Sequence, residues 1–241
     1  MGSPAGERSS KVDEIQHRVS LTHAFELAIT EVTQGLWQTV TGENPSYFAN
    51  CDSCPVDRVS WLDAVGFCNA FSEREGLDPA YLINGENVHW IRSNNGFRLP
   101  TEAEWEYACR AGSLTAYSTG PCLSADQGNY NGYHPLGHCP SGMNRGEPIE
   151  VGRFPANDWG LRDMHGNIAE WCWDQYGDYM NERVNDPSGP LHSDLSQRRV
   201  FRGGCFINFA PKCRSAARQA LDPHKRVDML GLRLARSKGK K

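Results

Sequence analysis

Apolar and polar residues keep a regular period only over short distances in this chain, so the elements they predict are short. Residues 24–32 (AFELAITEV) read as a strand. Thr33 then caps a short helix, QGLWQTVTG, closed by Gly42. Ser60, with Asp63 three residues on, is a variant capping box. The helix it starts carries Ala64, Val65, Phe67, Cys68 and Phe71, and ends at Gly76. Tyr81 to Trp90 reads as a hairpin with Asn84-Gly85 as its turn. The clearest local signal is FRLPTEAEWEYA (97–108), where Thr101 and Glu104 form a true capping box and Gly112 supplies the stop. Residues 112–158 are mostly loop. A loop of that length inside a compact domain needs a bound ion, a disulfide or aromatic anchors to hold it.

Few helices (two main ones), many short strands and long ordered loops predict one α+β domain over residues 19–236, between a disordered lead at 1–18 and a basic tail at 237–241. Within it, residues 202–236 behave differently from the rest. Framework pieces (Arg-Gly-Gly, Arg-Ser-Ala, Asp-Pro, Leu-Gly-Leu-Arg-Leu-Ala) alternate with positions that follow neither a helical nor a strand period. A rigid frame with arbitrary filling predicts a binding surface rather than a fixed reaction centre.

Composition narrows the function classes. The chain is 39% hydrophobic and 22% charged, ordinary globular values, and has no apolar run long enough for a transmembrane helix. A net charge of −4 argues against a nucleic-acid partner, and the basic run 236–241 reads as a solvated tail. The first residues carry no apolar h-region, so the sequence holds no secretory signal. A cytoplasmic placement follows, unless a leader precedes these residues, in which case a secreted or cell-surface one is open. Seven Trp, eight Tyr, 24 Gly and 14 Pro fit irregular backbone pinned by large side chains. Of nine cysteines, Cys51 and Cys54 form a CxxC without the second pair a structural zinc site needs. Cys122 and Cys139 bracket a Gly/Asn/Pro-rich loop and would bridge in an oxidising compartment; otherwise they are reduced, partly buried thiols.

Five ordered motifs, EVTQGLWQTVTGENPSYF, CPVDRVSW, FRLPTEAEWEYACRAG, VGRFPANDWGLRDMHGNIAEWCWD and RVFRGG…RSAAR…LGLRLA, resemble the formylglycine-generating-enzyme (sulfatase-modifying factor) family across residues 20–236. The resemblance implies a fold related to C-type lectins. It also implies a calcium site on Asp163, Gly166, Ile168 and Glu170, an oxygen-only set of carboxylates and turned carbonyls that suits Ca²⁺. The alternative is that Asp163 and Glu170 only cap backbone amides while Trp171 and Trp173 form core. His134 and His138 (HPLGH) read as loop histidines, because Pro135 breaks the helix that would align them. His165 reads as a packing or hydrogen-bonding residue. No His-x₃-His-x-Glu triad is present for the iron chemistry found beside related domains.

The family's oxidase uses Cu(I) bound by two thiols spaced C-x₄-C a few residues after the Arg-Gly-Gly. Here Cys205 stands where the family keeps Ser, and Cys213 lies eight positions on, so the resemblance leaves the catalytic motif unmatched. Copper chemistry at Cys205 and Cys213 remains only as an alternative. The segment also resembles the variable proteins of diversity-generating retroelements, whose frame reads RGGSW…R…CRSA.R…DP..R…LGLRLA. Departures fall where that group varies: Cys205, Phe206, Ile207, Phe209, Lys212, Ala217, Gln219, Ala220, Leu221, His224, Lys225, Val227, Asp228 and Met229. Asn208 would be an unchanged template residue. The resemblance implies a ligand-binding protein whose partner is a protein or surface ligand, and an apolar cluster in a polar frame suits that role.

Overall fold

The structure, a computed structural model, describes residues 1–179, 182–190 and 197–238. In chain order the elements are β1 (Val19–Ser20), β2 (Phe25–Leu27), α1 (Gln34–Thr41), α2 (Trp61–Arg74), β3 (Tyr81–Asn84), β4 (Asn87–Trp90), β5 (Phe97–Arg98), α3 (Glu102–Arg110), β6 (Ala169–Gln175), β7 (Val184–Asn185), β8 (Arg199–Arg202), β9 (Gln219–Leu221), β10 (Leu230–Leu232) and β11 (Ala235–Ser237). A 3₁₀ turn, Ala210–Cys213, interrupts the C-terminal segment. The class is α+β, as the sequence predicts.

The helices begin at their predicted caps. The Thr33 hydroxyl accepts from the Leu36 N–H, while Ser60 with Asp63 and Thr101 with Glu104 each close a reciprocal capping box. Strands β10, β6, β8 and β9 form the central sheet in that order, with β10 parallel to β6 and the other pairs antiparallel. Strand β11 lies between β2 and β5 in a second, antiparallel sheet. The main core includes Trp61, Phe67, Trp171, Leu230 and Leu232. Both buried indoles are satisfied: Trp61 Nε1 donates to Cys172 O and Trp171 Nε1 to Val59 O, each at 2.9 Å.

Three expectations are corrected. The strand predicted over 24–32 is regular only at Phe25–Leu27; beyond it Ala28 and Val32 still donate to Leu234 and Leu232, but off the ladder spacing. Residues 1–18 are not a disordered lead. They have no apolar run, but Glu14 is 1% exposed, and its carboxylate is paired with Arg214 at 2.8 Å. The domain also extends past 236: β11 includes Arg236 and Ser237, and Lys238 N–H donates to Ala24 O. The rest of the predicted tail, 239–241, lies outside the described residues. Cys51 and Cys54 form a disulfide with each other.

The long loop is held by two of the three devices the sequence required. Cys122 and Cys139 are bridged, and the Tyr117 and Tyr130 hydroxyls donate to Ala210 O and Leu123 O. The remaining thiols, Cys68, Cys109, Cys172, Cys205 and Cys213, are all buried. A thiol reagent is therefore expected to find no fast-reacting cysteine in the native protein and five after denaturation without reductant. A count of nine before reduction would contradict both bridges.

Asp174 makes the fold sensitive to pH. Burial first, and Glu102 beside it second, raise its carboxyl from the usual range to about 8, although it accepts the Glu102 N–H at the start of α3. The folded state therefore holds a proton that the unfolded chain releases near pH 3.8. This stabilisation is complete at low pH and is lost as pH rises through about 8. Asp174→Asn keeps an acceptor for Glu102 without the charge. Melts from pH 5 to 9 should show a falling Tm in the parent and a flatter profile in the variant, the two diverging by about 2–4 °C or more at the alkaline end.

Candidate ligand-binding face

The C-terminal segment is fixed by arginines from its own frame. Arg202 is fully buried, ion-paired with Glu102 and Glu106, and donates to Ser215 O and Ala217 O. Arg218 forks onto both oxygens of Glu102 at 2.7 and 2.9 Å. Arg214 forks onto Glu14 and also reaches Glu7. Arg233 meets Glu170 at 2.7 Å and donates to Ala28 O, Ile29 O and Arg162 O. Planar forks of this kind fix orientation as well as charge. Gly203 and Gly204 turn the chain with φ of 90° and 68°, and a side chain at 204 would meet the Cys213 sulfur at 2.7 Å.

Within that frame the predicted contact positions divide. Cys205, Phe206 and Ala217 are buried and cannot touch a ligand; this corrects their assignment. Phe206 turns inward because its ring packs edge-on against Phe48, centroids 5.2 Å apart. Lys212, Gln219, Ala220, Leu221, Val227 and Met229 are half-buried, with Leu221, Val227 and Met229 leaning on the core. Ile207, Phe209, His224, Lys225 and Asp228 are exposed.

The exposed positions form two adjoining patches. Residues 219–229 run along the sheet edge toward α2, where Pro223 O accepts from Trp61 N–H and Val227 O from Arg58 N–H. Arg226 grips both oxygens of Asp63 at 2.7 Å. Ile207 and Phe209 project at 47% and 49% exposure beside the loop 131–143. The charge of Asp228 reaches Asp57 and Cys205. Burial raises Asp57 to about 6, and its Oδ2 has no partner.

Sequence reasoning missed the other half of the face. Asn131 N–H donates to Asn208 O at 2.9 Å, Ala210 N–H donates to His134 O at 3.1 Å, and the His134 ring stacks on Phe209 with centroids 3.9 Å apart. This loop also presents Tyr133 and Met143, 65% and 58% exposed. The disulfide at its base was the available signal: a clamped loop with aromatic residues is built to present them.

The residues expected to hold calcium do not fit it as a set. Arg233 occupies both oxygens of Glu170, and Trp105 Nε1 donates to Oε2 at 2.6 Å, so a cation would meet a guanidinium there. Asp163 Oδ1 is buried without a partner, as is Glu31 Oε2. Burial, then the charge of Asp163, hold Glu31 well above the usual carboxylate range. A bound cation at a hundred times its Kd would add about 2.7 kcal/mol, a Tm rise of roughly 5–10 °C. Melts in Ca²⁺ and in chelator should instead agree within about 1 °C. His165 is a structural residue: its Nδ1–H donates to Cys213 O, Nε2 accepts from Ser118 N–H, and burial lowers it to about 4.

The model of the sulfatase-modifying factor enzyme 1-like domain matches residues 1–238. The chain is 32% identical to the Chaperone protein LppX of Paenibacillus barcinonensis, covering 96% of this chain and 86% of that protein. It is 30% identical to the formylglycine-generating enzyme of Mus musculus, covering 83% of this chain but only 50% of the enzyme. The solved structure of Treponema denticola variable protein 1 superposes with a TM-score of 0.82 at 29% identity, covering 99% of this chain and 94% of that one.

Proposed function

The chain belongs to the sulfatase-modifying factor enzyme 1-like family, with its C-type-lectin-like α+β fold, and from that premise we propose that it is a protein-binding member with a diversified C-terminal face. One observation carries the reading. Four buried arginines hold the backbone of 202–233, while Ile207, Phe209, His224, Lys225 and Asp228 project from it into solvent. A fixed backbone lets the exposed side chains change without loss of fold, and it binds with little ordering cost. The resemblance to Treponema denticola variable protein 1 supports the same reading.

The copper-dependent alternative has one observation in its favour: Cys205 and Cys213 are close enough for the first to perturb the second. Both are buried, however. Burial pushes the Cys205 thiol up to about 12 and Cys213 well above its ordinary value, so neither is a free thiolate without a bound metal. The two disulfides support an oxidising compartment as the place of action.

The test is the DNA beside the gene. Diversification requires a near-copy of the codons for 202–236, differing only at adenines, next to a reverse-transcriptase reading frame. Lys212, Gln219 and Met229 demand template codons other than Asn at their positions. Absence of any such copy would overturn diversification and leave a fixed binding face.

A further inference from the structure

The rim of the 133–134 and 207–209 patch has a charge opposite to that of the whole chain. Net charge is −4, yet Lys212, one 3₁₀ turn from Phe209, lies against Lys11, and Arg8 crosses the loop backbone at Gly137, where a side chain would meet its guanidinium at 2.5 Å. The nearest acids are engaged elsewhere: Asp13 accepts from the Tyr176 hydroxyl and Glu14 holds Arg214. Burial, and then Lys11, lower the Lys212 ammonium from its ordinary value, although the charges of Asp13 and Glu14 act against them.

We propose that the occupant of this patch is an acidic protein segment, with an apolar side chain seated on Ile207, Phe209, Tyr133 and Met143 and flanking carboxylates paired with Lys11, Lys212 and Arg8. The inference rests on the protein-binding reading above and names its partner class. Carboxylates answer the clustered cations, and the apolar centre supplies the buried anchor that interfaces need. A nucleic acid would find the same basic rim, and displacement by an oligonucleotide separates that outcome from a protein one.

The experiment uses the full chain as bait for a phage-displayed random peptide library. Enriched sequences are expected to carry Phe, Leu or Trp flanked by Asp or Glu, and their binding should weaken about tenfold or more in high salt. Lys11→Glu/Lys212→Glu bait should enrich Lys or Arg flanks instead. Ile207→Ser/Phe209→Ser bait should enrich neither. Acidic flanks that persist on the charge-reversed bait overturn the rim while leaving the face. Unchanged enrichment on the Ile207→Ser/Phe209→Ser bait overturns the face itself. No enrichment on any bait, or displacement of the peptides by a single-stranded oligonucleotide, overturns the proposal.

Discussion

Arg214→Met is expected to lose about 3–5 kcal/mol, enough to unfold a large share of the molecules near physiological temperature. Its guanidinium is 1% exposed. It donates to both oxygens of Glu14 at 2.8 Å and to Ser3 Oγ and Ser9 O, and it also contacts Glu7. Removing it leaves two carboxylates in a dry site without a counter-charge, which costs more than the pair itself contributes. Arg214→Met/Glu14→Gln should therefore recover part of the loss, a coupling that urea denaturation of both variants would measure. If the single variant stays within about 0.5 kcal/mol of the parent, residues 1–18 are not docked as described.

The second large effect separates neighbours. Phe206→Ala should cost about 3–5 kcal/mol, because its ring is 2% exposed against Phe48 and the main core. Ile207→Ser, one residue on and half exposed, should cost about 0.5 kcal/mol or less. Partner binding should respond in the other order: a buried anchor on such a face is worth about 2 kcal/mol or more, a loss of roughly 30-fold. Equal stability losses in the two variants would mean that 207 is core and that the face is elsewhere.

These contrasts show what the sequence could and could not reveal. Caps and the hairpin turn were legible because their signals are local: Thr101 and Glu104 interact across three residues. The arginine frame was legible as rigid spacing, but its partners were not. Glu14 and Arg214 are 200 residues apart, and no period relates them. For that reason a polar N-terminal stretch with no apolar run read as disordered. The inward turn of Phe206 depends on Phe48, and the outward stack of Phe209 depends on His134; both partners come from distant loops. The pairing of Glu170 was hidden for the same reason, since Arg233, 63 residues beyond it, takes the carboxylate.

The ion pairs of the four buried arginines also impose an order on biosynthesis. Glu7, Glu14, Glu102, Glu106 and Glu170 all precede the arginines they serve, Arg202, Arg214, Arg218 and Arg233. A growing chain therefore carries acids without their partners until the ribosome has passed residue 233. Its central sheet is equally incomplete, because β8, β9 and β10 are made last. Folding must wait for the C-terminal segment, and a nascent chain of this design leans on chaperones for longer than one closed by local contacts.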